Sequence, residues 1–303
     1  MKKFYAVVGN PPYQEEVEGN QRSNPIYHVF MDESYKVAEK AELITPARFL
    51  FNAGQTPKEW NKRMLSDEHL KVLKYQPDSS TVFPNQEIKG GVAITYRDIA
   101  TKYDPIDVFI PFEKLKGLLG KVMTGGDSLA GQVTGAVPYR FTDKVRQKYP
   151  QSIPFIEPSF DLRTNILDKL KGKLFFKDKP QNSEEFVAIF GRVDRRRDYL
   201  WIDRSLIEVP SNFFGYKVLL PKASGNGDFG EAFGELFVAA KGVGHTQTFI
   251  SIGNFDTEEE ANNLIKYLKT KFLRTLSSVY KVTQDITPRV FSACPSPRLH
   301  LLF

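Results

Sequence analysis

Apolar and polar positions along the chain change period several times, and each change predicts an element. Phe4 to Val8 is a run of apolar β-formers stopped by Gly9-Asn10-Pro11-Pro12, which predicts a strand ending in a stiff corner. Ile26, Tyr27, Phe30, Tyr35, Val37 and Ala38 then recur at helical spacing. A short strand, Glu42 to Ile44, is expected next, closed by Thr45-Pro46. A second helix is predicted from about Pro57 to Leu65, with Thr56 as its cap and Pro57 at its first position. His69 to Tyr75 and Gly91 to Tyr96 alternate as strands. Strand–helix–strand–helix–strand is the order of an α/β sheet.

The pattern changes after about residue 112. Gly117, Gly120, Gly125, Gly126, Gly131 and Gly135 crowd a stretch that reads as a connector. Short strands follow, Phe186 to Phe190, Tyr199 to Ile202, Lys217 to Leu220 and Thr248 to Ile252, separated by polar turns. One closing helix is expected, capped by Asp256 or Thr257, with Glu258, Glu259 and Glu260 in its first turn. Its apolar stripe is Ile265, Leu268, Phe272 and Leu276. Two domains are expected, 1–112 and 113–303.

Composition narrows the class. The 303 residues are 41% hydrophobic and 26% charged, enough for a packed core. A net charge of +6 permits a polyanionic partner without requiring one. A lone cysteine, Cys294, excludes an intrachain disulfide and a multi-cysteine zinc site, so a reducing cytoplasm is the expected compartment. No apolar run approaches membrane-span length, so no membrane partner is expected. His28, His69, His245 and His300 are far apart and near no cysteine pair, so no metal is expected.

Candidate chemistry centres on Asn10-Pro11-Pro12-Tyr13. Two prolines fix φ and remove two backbone donors, so the corner presents carbonyls. The Asn10 amide adds another acceptor, and Tyr13 puts a ring beside them. Stiff acceptors next to an aromatic suit a planar group bearing an exocyclic NH₂.

Val7-Val8-Gly9-Asn10-Pro11-Pro12-Tyr13 resembles motif IV of the adenine-N6-specific DNA methyltransferases of bacterial type II and IIG restriction–modification systems. Three later segments resemble theirs in the same order: Pro25 to Phe30, Leu43 to Phe49, and Val82 to Val92. Tyr267 to Asp285 is similar to the end of their target-recognition region. Some RNA and protein-glutamine methyltransferases share motif IV, and a non-catalytic DNA-recognition module is a further alternative.

The resemblance implies an α/β protein: a partial Rossmann-like methyltransferase sheet, then an α+β target-recognition domain. It implies S-adenosylmethionine as methyl donor, duplex DNA as partner, and a bacterial or phage-encoded cytoplasmic protein. Asn10 and Pro11 would accept hydrogen bonds from the amine of an extruded adenine, Pro12 would stiffen the corner, and Tyr13 would stack on the base. Phe83 would be a second aromatic contact, and Lys89 would face DNA. The family's donor pocket uses a glycine-rich turn and an acidic strand end upstream of motif IV. Only nine residues precede Asn10, so the chain reads as a C-terminal half. The unpaired edge at Tyr5 to Val8 is expected either to pair with a partner, a missing N-terminal half or a restriction partner chain, or to make the protein poorly soluble. Ser292 to Phe303 loses the resemblance and reads as an ill-fitting tail.

Two other patterns remain. Gly225-Asn226-Gly227-Asp228-Phe229-Gly230 matches a dinucleotide fingerprint in spacing, but lacks the acidic residue that should follow, which favours a plain loop. Arg192, Arg195, Arg196, Arg197 and Arg204 alternate with Asp194, Asp198 and Asp203, either as a salt-bridged hairpin or as a DNA-contacting one. Lys222 and His245 are further candidates for DNA contact.

Overall fold

A computed structural model describes residues 3–15, 23–123, 126–181, 185–227, 229–281 and 283–297. Gly125, Asp228, Val282 and Arg298 to Phe303, which figured in the readings above, lie outside the described residues. The protein is mixed α/β and divides into two compact units, Met1–Lys116 and Gly117–Phe303.

In the first unit β1 (Phe4–Gly9) is followed by α1 (Tyr27–Val37), β2 (Ala38–Pro46), α2 (Lys58–Leu65), β3 (Leu70–Gln76) and β4 (Val92–Asp98). The α1 crossover makes β1 and β2 parallel, with Ala6 opposite Lys40 and Gly9 opposite Leu43. β4 then inserts between β2 and β3 and runs antiparallel to both, so the order is β1-β2-β4-β3 and the sheet is mixed.

Several local expectations give way to tertiary pairing. β2 begins four residues before Glu42, because Ala38-Glu39-Lys40-Ala41, a good helix sequence by propensity, is zipped between β1 and β4. In α1 the buried residues are Tyr27 and Met31, while Phe30 is exposed. Pro57 is the cap residue of α2, and Thr56 instead donates Oγ1 to Asn61 Oδ1 at 2.7 Å.

β1 differs from its neighbours. Its outer edge is unpaired among the described residues, and Phe4, Tyr5 and Val8 are 57%, 67% and 76% exposed. A strand of this composition is ordinarily covered, since each unpaired N–H and C=O invites another strand.

The stretch expected as a glycine connector contains a helix, α3 (Glu113–Met123), which carries Gly117 and Gly120 and spans the division between the units. In the second unit β5 (Phe186–Val193) and β6 (Arg196–Asp203) form an antiparallel hairpin. β7 (Tyr216–Pro221) lies between β8 (Phe237–Ala239) and β10 (Phe249–Phe255), antiparallel to both. β9 (Val243–His245) adds to β5 in parallel. Tyr139, Phe175, Ile189, Leu200 and Leu206 are among the side chains that fill the core against the hairpin.

The closing helix is two helices. α4 (Glu258–Leu268) starts with a reciprocal capping box between Thr257 and Glu260. The chain breaks at Lys269, and Thr270 caps α5 (Lys271–Ser277) through Leu273 N–H. The break rotates the stripe, so Leu273 and Leu276 are buried and Phe272 is exposed. Ser292 to Pro297 is no ill-fitting tail. Ala293 and Cys294 are buried, the Cys294 carbonyl accepts from Leu129 N–H at 2.8 Å, and the Pro295 carbonyl accepts from Tyr267 Oη at 3.1 Å.

Candidate functional site

Asn10, Pro11, Pro12 and Tyr13 follow β1 and line an open cavity of about 890 Å³ in the first unit. The Tyr13 carbonyl accepts from Ile26 N–H at 3.1 Å, which ties the corner to the start of α1. Asn10 and Pro12 are exposed, while Pro11 and Tyr13 are half-buried. Burial pushes the Tyr13 phenol up to about 12, so it stays neutral at any working pH. Its hydroxyl is buried without a hydrogen-bond partner among the described residues.

The opposite wall is the segment Gln86 to Lys89. Ser79, which is buried, staples it: Ser79 Oγ donates to the Gln86 carbonyl at 2.9 Å and accepts from Ile88 N–H at 2.8 Å. Gly91 closes the segment with φ +74°, and a Cβ there would stand 2.3 Å from the Gln76 carbonyl oxygen. Gly90, with φ +86°, would place a Cβ 2.8 Å from Cγ of Arg48. Arg48 lines the cavity too, and its Nε donates to the Lys89 carbonyl at 2.7 Å. Tyr27 completes the floor, its phenol raised to about 12 by burial against the opposing effects of a Thr56 hydrogen bond and the Arg48 charge.

Phe83 is half-buried and meets Tyr13 edge-on, with ring centroids 6.2 Å apart and planes at 80°. A base sandwiched between two rings needs roughly 7 Å between parallel planes. In this arrangement Phe83 supports the rim of Tyr13 and is not among the residues lining the cavity. Lys89 is exposed and lines it. Arg48, Ser79 and Tyr27 were not singled out from the sequence. The visible signal was an arginine inside the otherwise apolar Leu43 to Phe51 stretch.

The remaining candidates lie in the second unit. Asp194 (φ 48°) and Arg195 (φ 66°) make the two-residue turn between β5 and β6. The turn is pinned by an Asp168 carboxylate on Asp194 N–H at 2.8 Å and by an ion pair of Lys171 with Asp194. Arg192, Arg195 and Arg196 are exposed around it. Arg197, opposite Arg192, is held by Glu235 at 3.0 Å and packs over Phe237 and Phe249. Arg204 donates to the Ile207 carbonyl at 2.6 Å. Lys222 is half-buried beside β7. His245 cannot reach DNA: it is wholly buried in β9, and desolvation lowers it to about 4.

The glycine-rich loop 225–230 is closed on itself. The Glu231 carboxylate accepts from Asn226 N–H at 2.7 Å and Gly227 N–H at 3.0 Å, and pairs with buried Lys281 at 2.6 Å. The amides that a pyrophosphate would need are taken.

Comparison with known proteins finds relatives of the segment that carries this corner. Residues 1–83 match the model of the Eco57I restriction-modification methylase family. A protein of Mycoplasma pneumoniae described as an uncharacterized adenine-specific methylase is 28% identical over 94 residues, which are 30% of this chain and 22% of that protein. Over this stretch the chain is similar to adenine-specific restriction-modification methylases. The DNA complex of the type IIL restriction-modification enzyme MmeI is similar at 10% identity and a TM-score of 0.44, covering 95% of this chain and 46% of that one. The type IIG restriction endonuclease BpuSI is similar at 10% identity and a TM-score of 0.32, covering 93% and 43%. The chain thus spans less than half the length of each of these relatives. No described helix is long and apolar enough to cross a membrane.

Proposed function

We propose that the cavity beside Asn10 receives an adenine drawn out of duplex DNA and presents its amine for methylation, as the acceptor site of a restriction–modification methyltransferase. The observation that carries this reading is the Asn10 to Tyr13 corner, which falls inside the matched segment and offers acceptors to an open cavity. Asn10 Oδ1 and the Pro11 carbonyl each take one N–H of the amine. Both bonds draw hydrogen positive charge away from N6 and so increase the nitrogen's nucleophilicity and stabilise the charge that grows on it during transfer. Pro12 keeps the carbonyls aimed, and Tyr13, neutral and supported by Phe83, gives the base a stacking face. Stacking of this kind contributes about 1–3 kcal/mol and offsets the loss of neighbouring bases.

The expected donor is S-adenosylmethionine, and the described residues do not fit it. The chain's one G-x-G-x-x-G sequence has its amides on Glu231, in the unit that does not hold the cavity. The exposed edge and apolar side chains of β1 support a further strand-bearing segment or partner chain docking there and bringing the donor site. In this reading residues 1–112 are the acceptor half of a Rossmann-like catalytic domain and 113–303 form the target-recognition domain. Lys89 of the first and Arg192, Arg195, Arg196, Arg197 and Lys222 of the second then face the duplex. A cytoplasmic setting in a bacterium or phage follows from that role.

Tritiated methyl incorporation into duplex DNA tests it. The chain is expected to be active on adding the donor-binding half of a related methylase, and Asn10→Ala to abolish incorporation. Full activity of Asn10→Ala overturns the acceptor role. A monodisperse, stable monomer by light scattering and thermal melting counts against docking at β1. A second reading, a DNA-binding module without catalysis, is favoured by the exposed arginines at the β5–β6 turn alone. DNA binding without incorporation under every complementation supports it.

A further inference from the structure

We propose that Arg48 binds a backbone phosphate of the nucleotide whose base enters the cavity. The inference rests on the adenine-acceptor reading and adds the residue that fixes the sugar–phosphate.

The stem of Arg48 is held between two turns. A Cβ at Gly54 would stand 3.3 Å from Arg48 Cβ and Cδ, and one at Gly90 would stand 2.8 Å from Cγ. Both glycines have φ near +85°, so the backbone wraps the stem where no other residue fits comfortably. Arg48 Nε is fixed on the Lys89 carbonyl at 2.7 Å. The two Nη groups make no hydrogen bond to the described residues, and the side chain lines the cavity. Ordering an arginine ordinarily costs rotamer entropy. Here the fold has already fixed it, and the unused half of the fork is left to a ligand.

The rest of the lining says which ligand. Asn10 Oδ1 and the Pro11 carbonyl are acceptors and call for N–H donors. Arg48 and Lys89 are the cations among the described lining residues, and Arg48 is the fixed one. At about 890 Å³ the cavity is at the upper end of the size that encloses a drug-sized molecule, more than a bare purine requires. An adenine nucleotide carries an amine at one end and a tetrahedral anion at the other, and a guanidinium fork matches the phosphate bidentately.

The test is fluorescence anisotropy with the full chain and labelled single-stranded oligothymidylates carrying one adenine. Each phosphate flanking the adenine is replaced in turn by a neutral methylphosphonate. The wild type is expected to lose about tenfold in affinity at one flanking position, and little at remote ones. Arg48→Gln keeps a polar stem, and is expected to bind about tenfold more weakly and to show no further methylphosphonate loss. Arg48→Lys should fall between, since it keeps the charge and loses the fork. If Arg48→Gln melts like wild type and still loses tenfold at the same position, the phosphate lies elsewhere and the proposal is overturned. The adenine reading fails separately, if all-thymine oligonucleotides bind as well as those with adenine and Asn10→Ala changes nothing. Absence of binding to any of these strands overturns both.

Discussion

The molecule contains two loops that turn on glycines and behave in opposite ways. The loop ending at Gly90-Gly91 wraps the stem of Arg48 and leaves its inner wall facing an open cavity. The loop Gly225–Gly230 wraps the carboxylate of Glu231, which takes two of its amides and a buried lysine. One borders an open cavity; the other is already filled by the protein. Glycine spacing tells where backbone can turn sharply, whereas the side chain inside the turn decides whether anything else can bind there.

The strongest way to break this comparison is to empty the closed loop. Glu231→Ala leaves the ammonium of Lys281, whose side chain is 2% exposed, with the Ser224 carbonyl at 3.0 Å as its one remaining hydrogen-bond partner among the described residues. Urea unfolding should show a loss of about 3 kcal/mol. A loss under 1 kcal/mol would mean that the loop does not depend on its carboxylate.

A second effect belongs to the second unit alone. His245 is lowered to about 4 by burial, with buried Lys217 adding a smaller push in the same direction. An unfolded chain protonates this histidine below about pH 6.5 while the folded one refuses the proton until about 4. Stability therefore falls as pH drops through that window, by about 2 kcal/mol between pH 7 and pH 4.5. Paired urea titrations measure it, and a His245→Phe chain with the same slope would refute the assignment.

The open loop is expected to respond more mildly, because its supports are side chains that can give way. Ser79→Ala removes the bonds to Gln86 and Ile88 and should lower stability by about 1–2 kcal/mol. It should also weaken binding of adenine-containing strands, a readout that separates the wall's position from its mere folding. Gly90→Ala, at φ +86° against the Arg48 stem, should fall in the same range.

The smallest stability change is expected at the hairpin tip. Arg196→Ala, whose side chain is exposed and makes no hydrogen bond or ion pair with the described residues, should stay within about 0.5 kcal/mol of wild type. If it touches a phosphate, the slope of log K against log salt should drop by about one. Arg197→Ala, by contrast, removes the Glu235 ion pair and the packing over Phe237 and Phe249, so it should lower stability measurably.

Much of the chain was legible locally. β1, the Asn10 to Tyr13 corner and the capping box of α4 were visible because each depends on residues a few positions apart. The start of β2 was hidden, since Ala38 to Ala41 favours a helix until two neighbouring strands claim its backbone. The break at Lys269 was also hidden, because Leu268, Phe272 and Leu276 fit one continuous stripe on paper. Arg48 escaped notice for another reason: its partners Gly54 and Lys89 are brought to it only by the fold.

By itself the sequence determined the donor-poor corner, since proline chemistry and one asparagine act over four bonded neighbours. It determined the type of most elements as well, because hydrophobic period is a local property. Tertiary structure alone decided that the sheet is mixed and which glycine loop stays open. Those outcomes depend on contacts between residues tens of positions apart, where burial and hydrogen-bond satisfaction outweigh local preference.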